Sequence, residues 1–325
     1  MSSIGQHLLG ILLAGVIGVA GHFASAWSLV PVNGILLALL LGVLVGNLVR
    51  LPVAIRPGVA FTSGRLLEVS ILFLAFGINY THIAALGVKA FSIVALVVFA
   101  MVLITWRLAT AVRCPGATGW LVGFGTAICG SSAIAALAPV VTKNKEDVGI
   151  AMAVVNLFGS LGMIVLPMLL MELDLDAARM GLLLGGTLHS VGNVVGAGYA
   201  IDNAVGEAAV TIKLARVALL SPALILFNVL VNHGRVERWQ QHFRLPWYLW
   251  GFVAITIIGS LTPLPPELIR TMGTIGQLAL TIAMAAIGLQ VSFGELYRSG
   301  RKGLGFGLII FAIQLCLVAG LVWLL

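Results

Sequence analysis

The sequence predicts an all-α, polytopic transmembrane helical bundle of about eleven spans, built from inverted repeats whose broken helices meet at the bilayer midplane. Three observations carry this. Of the 325 residues, 60% are hydrophobic and only 9% are charged. Apolar windows of spanning length recur from end to end, and two of them are interrupted by glycine and serine where a spanning helix should be most apolar. Ordinary soluble domains carry about 25% charged residues, so a water-soluble enzyme, a nucleic-acid binder and a disulfide scaffold are all excluded. The net charge of +7 reads as a topology signal rather than a surface for DNA. Cys114, Cys129 and Cys316 lie far apart without metal-ligand spacing, so neither a metal site nor any cofactor is expected.

The windows fall at residues 7–27, 33–50, 66–85, 87–107, 119–142, 147–171, 180–201, 206–233, 246–262, 272–296 and 303–325. Ala24-Ser25-Ala26 resembles a signal-peptidase site, but the first window is preceded by no Lys or Arg and reads as a retained span. The whole of 1–325 is then a single integral membrane domain. Its repeat halves lie at roughly 33–171 and 180–325, behind the extra first span. Basic residues test the count. Twelve of them, among them Arg50, Arg56, Arg65, Arg107, Arg179 and Lys302, fall on the side of the amino terminus, against Lys89, Lys143, Lys145 and Arg270 on the other. Cytoplasmic loops keep an excess of Lys and Arg, which places the amino terminus inside and the carboxyl terminus outside, periplasmic or extracellular.

Spans two to four echo spans nine to eleven. Gly46-Asn-Leu-Val-Arg-Leu-Pro, Ser70-Ile71 and Gly77-Ile-Asn-Tyr-Thr are matched by Gly259-Ser-Leu-Thr-Pro-Leu-Pro, Thr281-Ile282 and Gly288-Leu-Gln-Val-Ser. An offset of seven spans turns the copies upside down relative to each other, the plan of many secondary transporters.

The fifth window has Gly125, Thr126, Cys129, Gly130, Ser131 and Ser132 at its centre. Backbone can unwind at membrane depth only where protein buries it or a cavity receives it. A broken helix is therefore expected, its second half starting at Ser131 or Ser132 as N-cap and aiming free N–H groups at an anion. A close-packing face of small residues is the other reading of the same run. The seventh window repeats the theme with His189, Ser190 and Asn193 among glycines, His189 and Asn193 sharing a helix face. In the eighth window Lys213 and Arg216 are three apart, Arg216 only ~3 residues from the centre. Embedded charges are costly and mark function by default, although Lys213 can also snorkel. The acidic residues cluster at span ends, with Glu68 near the start of span three as an exception. Buried cations without buried carboxylates favour an anionic substrate.

The run Gly125-Thr-Ala-Ile-Cys-Gly-Ser-Ser-Ala-Ile-Ala-Ala with Ala138-Pro-Val-Val, then Lys145-Glu-Asp-Val and Leu157-Phe-Gly, resembles the YeiH-type sulfate exporter family. Leu188-His-Ser-Val-Gly-Asn-Val-Val-Gly-Ala-Gly, Lys213-Leu-Ala-Arg and Ala286-Ile-Gly-Leu resemble its later stretches, so the likeness covers nearly the whole chain. The resemblance implies a bacterial inner-membrane transporter, related to bile-acid/sodium symporters and cation–proton antiporters, that moves a small oxyanion. Two positions depart from the family pattern. Ser190 and Asn193 stand where an acidic residue and a glutamine are common, which weakens any proton-coupling role carried over to this site.

The expected function is export of a small anion, sulfate or sulfonate-like, by alternating access. The expected substrate contacts are Thr126, Cys129, Gly130, Ser131, Ser132, His189, Asn193, Lys213 and Arg216. Expected partners are that anion and the lipid bilayer, not nucleic acid, with a homodimer as the candidate assembly. No catalytic residue is expected. The rival readings are an anion channel and an intramembrane hydrolase with Ser131 or Ser132 as nucleophile and His189 as base.

Overall fold

The computed structural model describes residues 3–27, 34–49, 52–77, 80–112, 117–231, 247–262, 264–291 and 301–323. Among them all regular structure is helical. Among the described residues, six helices are long and apolar enough to cross a membrane, or seven if one bent pair counts as a span, and four shorter apolar helices accompany them. Each of the eleven windows holds a helix or a helix pair. Arg50, Arg113, Arg235, Arg238, Arg244 and Arg298 of the charge comparison, and Ile78, Asn79, Pro263 and Ser292 of the repeat, lie outside the described residues.

The chain divides into two compact units. The first comprises Met1–Ala85, Val195–Glu207 and Trp247–Phe293. It contains α1 (Ser3–Trp27), α2 (Gly34–Leu48), α3 (Arg56–Phe61), α4 (Leu67–Leu74), α13 (Trp247–Leu261) and α14 (Pro266–Gln290). Small residues let these helices touch backbone to backbone. A methyl group added to Gly42 would fall on the Ala285 carbonyl and within 3.1 Å of the Gly288 Cα, so α2 and α14 lie as close as two helices can. Ala14, Ile17, Ala38, Val59, Ala285, Ala286 and Leu289 form the core between them.

The third window needs a correction: helix begins well before residue 66. A 3₁₀ turn at Val53–Ile55, α3, a π-helical turn at Thr62–Leu66 and α4 form one nearly continuous run, because Pro57 falls in the first turn, where it costs no hydrogen bond. Arg65 pairs with Glu68 at 3.1 Å, and Trp247 Nε1 donates to the same carboxylate at 2.8 Å. Nearby, Gln290 donates to Ser63 Oγ and Asn47 to the Val291 carbonyl. Glu68 is thus partnered by Arg65 and Trp247, not embedded alone.

The second unit comprises Leu86–Val194, Ala208–Pro246 and Gly294–Leu325. It takes α5 (Tyr80–Ala111) from Leu86 onward, α6 (Thr118–Ala127), α7 (Ser131–Val141), α8 (Lys145–Leu170), α9 (Ala177–Thr187), the start of α10 (Val191–Ile201), most of α11 (Asn203–Ala218), α12 (Leu220–Val231) and α15 (Arg301–Trp323). Phe124 of α6 and Phe227 of α12 meet edge to face at 5.3 Å in its core. Asn144 caps α8 and Asp176 caps α9, each accepting a backbone N–H of the first turn. Asp147, in the first turn of α8, accepts from Thr118 at 2.9 Å and Thr142 at 3.3 Å, tying together the outer ends of α6, α7 and α8. The eighth window is not one straight span. α11 and α12 meet at 42° around Leu219, because Pro222 offers no N–H to the Ala218 carbonyl and its ring crowds that turn.

Candidate functional site

Both glycine-interrupted windows are broken, and both breaks lie in the second unit. In the first, α6 stops at Ala127; the Gly130 N–H closes onto the Gly125 carbonyl at 2.8 Å, and Gly130 has φ +72°, where L side chains are strained. That reversal launches α7 at Ser131. The expected serine cap is corrected: Gly130 is the capping residue, no side chain caps α7, and Ser131 is its first helical residue. Ser131 Oγ instead donates to Asn156 Oδ1 of α8 at 2.9 Å. Ser132 Oγ turns back to the Cys129 carbonyl at 3.3 Å and Sγ at 2.9 Å.

In the second break, α9 ends at Thr187, Leu188 is extended, and Ser190 starts α10 by accepting the Asn193 N–H at 3.1 Å. The breaks adjoin. A Cβ on Gly130 would lie 3.5 Å from the His189 carbonyl carbon. Asn193 and His189 both pack against Gly159 of α8, where a methyl group would collide with the Asn193 amide. The His189 ring stacks obliquely on Phe311 of α15, centroids 4.8 Å apart.

A broken helix leaves carbonyls without partners at the end of its first half, and in hydrocarbon each costs several kcal/mol. Here cations cover them. Lys213 and Arg216 are fully buried. Lys213 Nζ donates to the carbonyls of Ile128 (2.7 Å), Leu188 (2.8 Å) and His189 (2.6 Å). Three acceptors need three hydrogens, which an ammonium has and a neutral amine lacks. Arg216 donates from one terminal nitrogen to Gly185 (2.8 Å) and Leu188 (3.1 Å), and from the other to Thr126 (2.7 Å). Each cation therefore bridges the carbonyl end of α6 to that of α9.

All nine expected contacts gather within the second unit, yet they do not play equal parts. The Thr126 hydroxyl is turned onto the Val122 carbonyl of its own helix at 2.8 Å, so Thr126 contributes its backbone oxygen alone. Lys213 has spent every hydrogen on the protein. It reaches a ligand through its field, not through a bond. Cys129, Gly130, His189 and Asn193 are buried, whereas Ser131 is half-buried and Ser132 and Asn156 are exposed. Neither serine bonds to His189, the contact a serine–histidine hydrolase would need.

Electrostatics then favour one sign. Two helix carboxyl ends supply roughly −0.5 each, offsetting about one of the two buried positive charges. The amino ends of α7 and α10 add positive potential beside them. The described acidic residues of this unit, Glu146, Asp147, Glu172, Asp174 and Asp176, all sit at the start of α8 or between α8 and α9.

Two participants were not foreseen. Asn156 was missed inside an otherwise apolar window, and so was Gln314 of α15, which is fully buried and donates to the Gly186 carbonyl at 2.8 Å. A lone amide in a spanning window is the signal both carry. Gln314→Leu should cost about 1–3 kcal/mol in thermal unfolding, the scale for stranding a buried acceptor. A melting curve matching that of the parent protein would show the Gly186 carbonyl to be satisfied some other way.

Comparison with known proteins agrees with the motifs. The family described as conserved hypothetical protein 698 matches residues 9–307. A UPF0324 membrane protein of Bordetella bronchiseptica is 33% identical over 83% of this chain and 87% of its own, and one of Pseudomonas aeruginosa is 32% identical over 94% and 89%. The solved sodium proton antiporter MjNhaP1 of Methanocaldococcus jannaschii aligns over 99% of this chain and 100% of its own at 14% identity, with a TM-score of 0.31, too low to identify a shared fold. On the family match and the two relatives, the chain belongs to the UPF0324 family of membrane proteins, the YeiH-type family its motifs resemble.

Proposed function

We propose that this protein is a secondary transporter that exports a small oxyanion, sulfate or a sulfonate, across the bacterial inner membrane by alternating access, with its amino terminus cytoplasmic. The observation that carries the reading is the placement of Lys213 and Arg216 on carbonyls of both breaks. That arrangement neutralises the negative poles of α6 and α9 and leaves the positive poles of α7 and α10 for a ligand. Ser131, Ser132, Gly130, His189 and Asn193 form the substrate side of this site. Cys129 and Thr126 support it through their backbone, and the two cations supply its field. Departure of the anion leaves the pocket with uncompensated positive charge, so the empty form is the costly one, and a loaded carrier that exchanges anions is favoured.

Flux of labelled sulfate and methanesulfonate into liposomes tests this. Ser131→Ala should lower the rate by about tenfold, the factor for about 1.4 kcal/mol, because the Ser131 hydroxyl, whose hydrogen goes to Asn156, ties the first turn of α7 to α8. Unchanged flux in both Ser131→Ala and Ser132→Ala proteins would count against the site. Saturable counterflow marks a carrier; a large, non-saturating conductance would replace it with a channel.

A further inference from the structure

Carriers built on discontinuous helices hold their coupling cation on unwound backbone carbonyls and on the carboxyl ends of the half-helices. In this protein that place is filled by a side chain. The Ile128, Leu188 and His189 carbonyls, from both breaks, converge on the Lys213 ammonium at 2.7, 2.8 and 2.6 Å. An ammonium is a compact point charge with three donors, which is what three converging carbonyls accept. Arg216 takes the Thr126 and Gly185 carbonyls and shares Leu188.

The packing delivers this charge and holds it. A Cβ on Gly185 would fall on the Ala209 carbonyl and against Ile212, so α11 lies tight on α9, and Lys213, one turn beyond Ala209, arrives at the end of α9. Ala209, Val210 and Val217, on the same face of α11, are buried with it. A metal cation would have to displace a fully buried ammonium and then sit beside the Arg216 guanidinium, where like charges at close range repel strongly. Carboxylates, the ordinary intramembrane partners of a moving cation, are not at hand. The described acidic residues of this unit lie at the start of α8 or between α8 and α9, and among the described residues no group of three His, Cys, Asp or Glu is placed to hold a metal ion.

We infer that Lys213 stands in for the coupling cation of this carrier, so that its anion exchange needs no sodium or potassium ion. The inference rests on the transport reading above and deepens it by naming what drives the cycle. A tethered cation stays with the site and cannot be released on either side of the membrane. No metal-ion gradient can then enter the cycle, and the counter-anion alone drives it.

The test is uptake of labelled sulfate into liposomes that hold the full-length protein and unlabelled sulfate, at one pH and ionic strength, with sodium, potassium, ammonium or N-methylglucamine as the cation on both sides. The parent protein is expected to exchange at rates within about twofold in all four media, since a factor of two is well under 1 kcal/mol. Lys213→Ala, which opens the three carbonyls, should exchange at least about tenfold more slowly in N-methylglucamine. Ammonium, small and with the same donors, should restore much of the rate and raise the melting temperature of that variant while leaving the parent protein's unchanged. Parent exchange that stops in N-methylglucamine and returns with sodium or potassium overturns this assignment and leaves the transport reading standing; this measurement decides alone if Lys213→Ala does not fold. A folded Lys213→Ala protein that melts and exchanges alike in ammonium and N-methylglucamine also overturns it. Exchange of neither sulfate nor methanesulfonate by the parent protein in any medium overturns both.

Discussion

Replacing Lys213 and Arg216 together with methionine should destabilise the protein by more than the two single changes added. Methionine keeps most of the volume of either side chain and removes every donor, so the loss isolates hydrogen bonding and charge from cavity formation. Lys213→Met strands the Ile128 and His189 carbonyls, since Leu188 keeps its bond from Arg216. Arg216→Met strands Thr126 and Gly185, since Leu188 keeps its bond from Lys213. The double variant strands Leu188 as well. At about 1–3 kcal/mol for each buried acceptor left without a donor, each single change should cost several kcal/mol. The extra carbonyl should appear as a coupling energy of roughly 1–3 kcal/mol in a double-mutant cycle. Thermal unfolding in detergent measures all four corners. Additivity within error would mean that the cations do not share a carbonyl in the membrane. Near-parent stability in either single variant would mean that water or other side chains cover these ends, and the case for a site of fixed positive potential would lose its footing.

The existence of this arrangement was legible in the sequence; its polarity was not. Glycine and serine at the centre of the fifth and seventh windows point to broken helices more than to a close-packing face, because polar, flexible residues stand where lipid would demand the opposite. Lys213 and Arg216 announce themselves by depth and spacing. What they bond to is backbone, and a carbonyl at residue 128 or 188 leaves no mark in the sequence. The same pair of cations could have faced the substrate directly or, as here, the carbonyl ends of the half-helices. The Ser131 cap was misjudged for a related reason. Serine is a good cap wherever its backbone is extended, but Gly130, at φ +72°, makes the turn itself and moves Ser131 into the first helical position. The early start of the third span was hidden by Arg56, Pro57 and Arg65, which read as a loop by composition although proline is tolerated in a first helical turn. Asn156 and Gln314 were visible as single amides among apolar residues, but nothing in a single chain says which lone amide faces a site.

Gly130→Ala should damage the site through its backbone alone, without a steric collision. The space is there: the nearest atoms to a Cβ on Gly130 are the His189 carbonyl at 3.5 Å and Val155 at 3.6 Å, ordinary contact distances. The backbone forbids it. At φ +72° and ψ −129° a residue with a Cβ is held in a region that only glycine occupies freely, at about 1–3 kcal/mol. The chain can relieve that strain by letting φ turn negative, and then α7 no longer starts where it does. Its first N–H groups swing away from the second break, and Ser131 leaves Asn156. Stability and flux should therefore fall together, flux by the larger factor. Gly149→Ala on α8 is the control, because an added methyl group there meets nothing within 4 Å and should stabilise the helix by about 0.5–1 kcal/mol. If Gly130→Ala instead melts and transports like the parent protein, the sharp reversal at residue 130 is not what aims α7 at its ligand, and the anion site must be built by some other part of the second unit.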